Sequence, residues 1–333
     1  MKLQDYIKEI KIGDITVKNN VFLAPMAGIT DMPFRYICNK YGKVSYMPTE
    51  MVSSKGLIYK DFKTHKIMDM FENEYPKVVQ IFGSDVDILR QVIEKLNENS
   101  KVDIIDFNMG CPAPKVVKNG DGSELLKDLD KAEEIIKTLV SSSKKPITVK
   151  TRLGISDDEI TIFKVAKICE KYGVSMLTIH GRTQKQGYIG QANIDIIAKV
   201  KESVKIPIVG NGDIVDIESA YNMFYKTHVD AIMIGRKALG NPWIFRSIIE
   251  GKEYIPSLKE RYDVIIEHLQ LALKYDKEPV AIPKMRKHIA WYLKGLKNSS
   301  YAKDLINKET TYDGVKKILD EYFLNLNKYT PDS

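Results

Sequence analysis

Cysteine is scarce: the 333 residues hold three, Cys38, Cys111 and Cys169. No two form a C-x-x-C pair, and an odd number argues against a disulfide framework, so a reducing cytoplasm is the simplest setting. The five histidines, His65, His180, His228, His268 and His288, are scattered. They lack the spacing of metal ligands, which argues against a bound metal. No apolar run approaches the length of a membrane span. The opening stretch, MKLQDYIKEIKIGD, is charged throughout where a secretory leader needs an apolar core. No G-x-G-x-x-G follows the first strand pattern, so a Rossmann site is not expected.

What remains is the composition of a soluble globular protein, with 44% hydrophobic and 29% charged residues. Lys and Arg outnumber Asp and Glu, 51 to 44, for a net charge of +7. That excess is compatible with a polyanionic partner and does not require one.

The segment Val102–Pro112, VDIIDFNMGCP, organises the chain. It begins as a buried strand and ends in a Gly-Cys-Pro corner, which places Asn108 and Cys111 together at a strand end. By itself this is either a tight turn with a half-buried thiol or a piece of an active site. Similar short apolar strands recur at Val21–Gly28, Val44–Pro48, Val78–Gly83, Pro146–Lys150, Met176–His180, Ile206–Gly210 and Ala231–Ile234, with helical patterns between them. Lys11–Val17 reads as a small hairpin. Eight strand–helix repeats over about 240 residues favour a (β/α)8 TIM barrel over a doubly wound sheet. From Leu258 onward only helical periodicity is visible, at 259–275, 283–297, 301–307 and 311–327, which suggests a small α-helical bundle.

In a barrel the strand ends converge on one mouth. Gln80, Asn108, Cys111, Lys150, Arg152, His180 and Arg182 would then face a shared cavity. A lone lysine at a strand end is ordinarily a snorkelling surface residue, and a lone histidine a satisfied core group. It is the convergence that points to a site. Asn211-Gly212-Asp213 and Gly235-Arg236 close the seventh and eighth strands, where barrels commonly bind phosphate. Glycine lets backbone N–H groups approach an anion, and Arg236 adds a fork of donors. Lys118–Ser123 is Gly-rich but lacks Walker spacing, and reads as a mobile loop behind Cys111 ending in a Ser123 helix cap. In KMRKHIAWYLKGLK (284–297), Met285, Ile289, Leu293 and Leu296 form a buried stripe. Lys284, Lys287, His288, Trp291 and Lys294 fall on another face, which suits either an RNA backbone contact or a solvated surface with the tryptophan packed on the barrel.

These residues together make the chain resemble the tRNA-dihydrouridine synthases of bacterial type. The matching stretches are LAPMAGITDMPFR (23–35), TEMVSSKGL (49–57), QIFG (80–83), DFNMGCPAPKVVKNGDGSELLKD (106–128), VKTRLG (149–154), IHGRT (179–183), GNGDI (210–214), IGRKALGNPWIF (234–245) and MRKHIAWYLKGL (285–296). The resemblance implies a catalytic TIM barrel over 1–250 that holds FMN, a helical tRNA-binding domain over 251–333, and NADPH as reductant. It implies that Pro25, Met26 and Ala27 line the flavin, that Gln80 bonds its polar edge, and that Lys150 and His180 lie beside it. Asn211, Gly212, Asp213, Gly235 and Arg236 would hold its phosphate.

The implied reaction reduces the 5,6 double bond of uridine in tRNA. Hydride passes from reduced FMN to C6, and a proton from Cys111 to C5, a general-acid role that suits a thiol. Asn108 would meet the uracil edge. Arg152 and Arg182 would touch substrate or phosphate, and Lys284, Arg286 and Lys287 the RNA. A monomer is the default expectation. A small-pyrimidine dehydrogenase on an FMN barrel, of the dihydroorotate type, is the alternative.

Overall fold

The structure, a computed structural model, describes residues 2–59 and 62–329. Residue 1 and positions 330–333 of the two expected domains, and residues 60–61, lie outside the described residues. Among those described, one sheet holds eight strands: β1 (Val21–Leu23), β2 (Val52–Ser53), β3 (Val78–Phe82), β4 (Ile104–Met109), β5 (Ile147–Arg152), β6 (Met176–His180), β7 (Ile208–Asn211) and β8 (Ala231–Ile234). Each pairs in parallel with its sequence neighbours from β2 to β8, and β8 pairs with β1. The sheet curls into the expected TIM barrel, with helices wrapped around it. No helix among the described residues is long and apolar enough to cross a membrane.

The second strand differs from the expectation. Val44–Pro48 is buried and runs in the barrel wall, but the ladder forms later, at Val52–Ser53. Pro48 has no N–H to give, so this segment closes the ring by single bonds. The Leu23 N–H donates to the Tyr46 carbonyl at 3.1 Å, and the Thr49 N–H to the Val78 carbonyl at 3.0 Å. The expected hairpin is present at Ile10–Ile12 and Ile15–Val17. Ile10, Ile12 and Val17 pack into one apolar cluster with Val78, Ile104, Met176 and Ala231, the first residues of four strands. The hairpin therefore plugs the N-terminal end of the barrel and leaves the C-terminal end open for the site.

Beyond the barrel, helices span Leu258–Tyr275, Glu278–Tyr292, Ser299–Lys308 and Tyr312–Tyr329. They share a second apolar core that also takes in Ile37 and Trp243 from the barrel side. The helix expected at 283–297 starts five residues earlier and ends at Tyr292. Pro283 is tolerated because it removes only the bond to the carbonyl of Pro279, close to the helix start. His288 does not join the basic face. It is 3% exposed, with its ring against Phe34, His268 and Trp291.

The helical region sits tightly on the barrel. The Trp243 indole N–H donates to Glu260 at 2.8 Å and the Tyr41 hydroxyl to Glu267 at 2.6 Å. At Gly240, φ is +66°, and a Cβ would lie 2.3 Å from the Trp291 backbone carbon, so only glycine permits that approach.

Candidate active site

Strand register assembles the site. Asn108 lies opposite Lys150, Arg152 opposite His180, His180 opposite Asn211, and Gln80 opposite Asp106. These strands surround a cavity of about 930 Å³ at the C-terminal rim. Pro25, Met26, Ala27, Gln80, Asn108, Cys111, Lys150, Arg152, His180, Asn211, Gly212, Asp213, Gly235 and Arg236 all line it. The volume is near the top of the range of ligand pockets, roughly 300–1,000 Å³.

Cys111 is half-buried and unpaired. Its N–H and that of Gly110 donate to the Asn108 side-chain oxygen at 2.9 and 3.0 Å. Its carbonyl accepts from both the N–H and the hydroxyl of Ser123, at 3.1 and 2.9 Å. Ser123 thus anchors the Cys111 loop and does not cap a helix; it lies inside a 3-10 turn over Gly122–Lys127, with Asp121 in the position before the turn. Asn108 uses its oxygen on this loop, which leaves its amino group to face Gln80 at 3.0 Å.

Cations dominate one wall. Lys150 bonds Asn211 at 3.2 Å. Burial, then the charge of Arg152, brings it down to about 8, against the opposing pull of Asp106 and Cys111. His180 is pushed down to about 2 by burial and by Lys150, Arg152, Arg182 and Arg236. It is therefore a neutral imidazole at physiological pH, able to hydrogen-bond but not to act as an imidazolium acid.

Arg152 reaches the cavity, but it is tied to the carbonyls of Gly110, Thr183 and Gly187 at 2.8, 3.0 and 2.8 Å. It braces two loops. Arg182 does not line the cavity. It is 2% exposed and holds both Asp213 oxygens, at 2.8 and 2.7 Å, and the Ile189 carbonyl at 3.2 Å. With the Ala192 N–H also on the carboxylate at 2.8 Å, Asp213 has only its backbone left for an anion. At Gly212 φ is +131°, and a Cβ would lie 2.6 Å from that of Ala192, so this turn demands glycine.

The helical-region bases go elsewhere. Lys284 pairs with Asp276 at 2.7 Å, and Arg286 donates to the Glu309 carbonyl at 2.7 Å, inside the bundle. Lys287 reaches the rim of the cavity, where its ammonium donates to the Gly28 carbonyl.

Sequence reasoning missed two residues. Tyr188 lines the cavity with its ring between Arg152 and Arg236, whose guanidinium carbons lie 5.6 and 5.0 Å from the ring centre. Its signal was an aromatic between Gly187 and Gly190, just past the sixth strand end. Asp106 is a carboxylate buried beneath Gln80 and bonded to it at 2.6 Å. Strand alternation from Asn108 would have turned it inward. Among the described residues no cluster of His, Cys, Asp and Glu is placed to hold a metal ion.

A closed parallel barrel with a cavity at the C-terminal ends of its strands, apolar over much of its lining and cationic along one wall, defines a TIM-barrel enzyme. Solved structures agree on the fold. A histamine dehydrogenase from Rhizobium sp. 4-9 superposes with a TM-score of 0.58 at 14% identity, over 81% of this chain and 51% of that one. An old yellow enzyme homologue from Zymomonas mobilis gives 0.51 at 13%, over 77% and 94%. At the level of sequence, the family model for dihydrouridine synthase matches residues 22–327. A probable tRNA-dihydrouridine synthase of Rickettsia conorii is 38% identical over 95% of this chain and 97% of its own length. The tRNA-dihydrouridine synthase B of Pasteurella multocida is 40% identical over 90% and 92%. The chain belongs to the dihydrouridine synthase family.

Proposed function

We propose that the protein reduces the 5,6 double bond of specific uridines in tRNA to 5,6-dihydrouridine, acting as a monomer in the cytoplasm, with FMN as cofactor and NADPH as reductant. The observation that carries this reading is that Cys111 and the cationic wall of Lys150 and Arg236 face one cavity, large enough for a tricyclic ring and a pyrimidine together. The residues fit a phosphorylated flavin. The Gly212 and Gly235 turns leave backbone open to a phosphate, and Arg236 stands beside them. The apolar Pro25, Met26 and Ala27 offer a flat wall.

A flavin held there would supply hydride chemistry for C6, with NADPH as the source of the reducing equivalents. The chain does the rest. The Cys111 thiol gives its proton to C5 of a base turned into the cavity. The Asn108 bonds to Gly110 and Cys111 hold that thiol at the rim. Lys150 stabilises negative charge that develops beside it. Gln80 offers an amide to the polar edge of the cofactor. His180, kept neutral, adds a hydrogen bond without another charge. The barrel of residues 1–250 performs the chemistry, and the helical region of 251–333 grips the RNA, with Lys284 exposed towards it, Lys287 half-buried at the cavity rim and Arg286 bracing the bundle behind them.

The test is anaerobic. Protein reduced with NADPH is mixed with unmodified tRNA, and flavin absorbance is followed. Rapid reoxidation by tRNA, and none by free uridine or orotate, is the expected result. Reoxidation by orotate alone would replace this reading with a small-pyrimidine dehydrogenase, and protein that binds no flavin after reconstitution would overturn both.

A further inference from the structure

Beneath the cavity runs an unbroken chain of buried polar groups. The Tyr46 hydroxyl lies 3.0 Å from that of Thr148, and the Thr148 hydroxyl 2.6 Å from one Asp106 oxygen. The other Asp106 oxygen lies 2.6 Å from the Gln80 amide, which lies 3.0 Å from the Asn108 amide, which meets the N–H groups of Gly110 and Cys111. Tyr46, Gln80, Asp106, Asn108 and Thr148 are all buried.

The direction of every bond follows from its two ends. Backbone N–H groups only donate, so Asn108 must face them with its oxygen. Its amino group then faces Gln80, which must present oxygen, and the Gln80 amino group faces Asp106, which must accept. The Thr148 proton goes to the second Asp106 oxygen, so Tyr46 donates to Thr148. Two donor chains thus meet on one group, and only a carboxylate accepts on both sides. We propose that Asp106 is a positioning residue: its carboxylate sets the direction of the Gln80 and Asn108 amides and thereby holds the Cys111 loop.

Burial raises the Asp106 carboxyl above its usual value, while the bonds from Thr148 and Gln80 and the charge of Lys150 favour the ionised form. An asparagine in its place accepts from one chain only, so the other must reverse. Reversal towards Tyr46 strands a hydroxyl in a fully buried site. Reversal towards Asn108 releases two N–H groups that the cavity's water can take. The second is the cheaper, so the loop yields.

The test compares wild type, Asp106→Asn and the double variant Asp106→Asn/Gln80→Glu. In the double variant the new amide at position 106 donates to the new carboxylate at position 80. That carboxylate accepts from Asn108 in turn, so every direction is restored. Amide exchange of the 107–111 segment is read by mass spectrometry. Alkylation by iodoacetamide reads Cys111 alone, because Cys38 and Cys169 are buried. Asp106→Asn should exchange roughly 10-fold faster at Gly110 and Cys111 and alkylate faster, and the double variant should return both towards wild type.

An unchanged loop in Asp106→Asn overturns the proposal, as does a double variant as loose as the single one. If Asp106→Asn does not yield folded protein, the double variant carries the test: folded with a protected loop supports the proposal, and unfolded or unprotected refutes it. The consequence for turnover rests on the proposed tRNA reduction, with the rate falling and the KM for tRNA unchanged. The exchange result does not rest on it, so a wild type inactive on tRNA would sink the function and leave this inference standing.

Discussion

Replacing Arg236 with alanine isolates the phosphate end of the proposed flavin site. Asp213 is the carboxylate beside Arg236 that could neutralise it, and it is already engaged. Arg182 sits 2.8 and 2.7 Å from its two oxygens, while Arg236 is 3.4 Å from one of them. Arg236 keeps only that long bond to Asp213, so its other N–H groups can turn to an anion. A hydrogen bond between charged groups contributes about 1.5–3 kcal/mol. Arg236 is 54% exposed, so solvent screens the pair and the lower end applies, about 1.5 kcal/mol or a factor of ~10 in affinity. The assay is titration of apoprotein with FMN and with riboflavin, read by quenching of flavin fluorescence at two salt concentrations. FMN should bind about 10-fold more weakly to Arg236→Ala, by a margin that shrinks at high salt, and riboflavin as to wild type. Arg236 also packs on Tyr188, so Tyr188→Leu serves as control and should not separate the two ligands. Equal losses for FMN and riboflavin, or no loss, would refute the phosphate assignment.

Other consequences are open to measurement. Cys111→Ala should keep its flavin spectrum and its reduction by NADPH but lose roughly 10²–10⁴ in tRNA turnover; normal turnover removes the thiol from the mechanism. Lys150 sits at about 8, so its charge is lost as pH rises through that value. Turnover should fall as pH rises through about 8, and Lys150→Met should flatten the profile. The stability of the apoprotein moves the other way: between about 8 and the ordinary lysine value the unfolded chain binds the extra proton, so the cost of burying Lys150 shrinks as pH rises. An alkaline rise in turnover would contradict the role given to this cation. The Arg35–Glu74 pair is 2.6 Å long with both side chains 0% exposed. Glu74→Gln leaves a buried guanidinium without its counter-charge, at a cost of about 3–5 kcal/mol and a melting point lower by roughly 4–7 °C in calorimetry. An unshifted transition would show that the pair adds nothing.

The barrel was legible because it is written in local patterns. Eight short apolar strands, each closed by a polar or glycine-bearing turn, determine both the repeat and the rim where chemistry gathers. Asn108, Cys111, His180, Asn211 and Arg236 lie at or just past strand ends, Gln80 and Lys150 lie inside their strands, and the closure of the barrel brings them together. The N-terminal hairpin and the two long helices at the ends of the bundle were local signals too.

Only the tertiary structure decided the rest, because the deciding partners are distant in sequence. The Asp213 carboxylate is taken by Arg182, 31 residues away, which leaves only the backbone of that residue to meet a phosphate. His288 has the spacing of a basic face, yet Phe34 from the barrel side and His268 from another helix bury it. The wall at Val44–Pro48 read as a regular strand, but its ladder partners were fixed by β3 and by a proline that cannot donate. Asp106 carries no signal beyond its parity in the strand. Its importance arises where a hydroxyl chain from Tyr46 meets an amide chain from Cys111. Bonded neighbours in that junction lie as far as 102 residues apart, so it exists only once the barrel has closed.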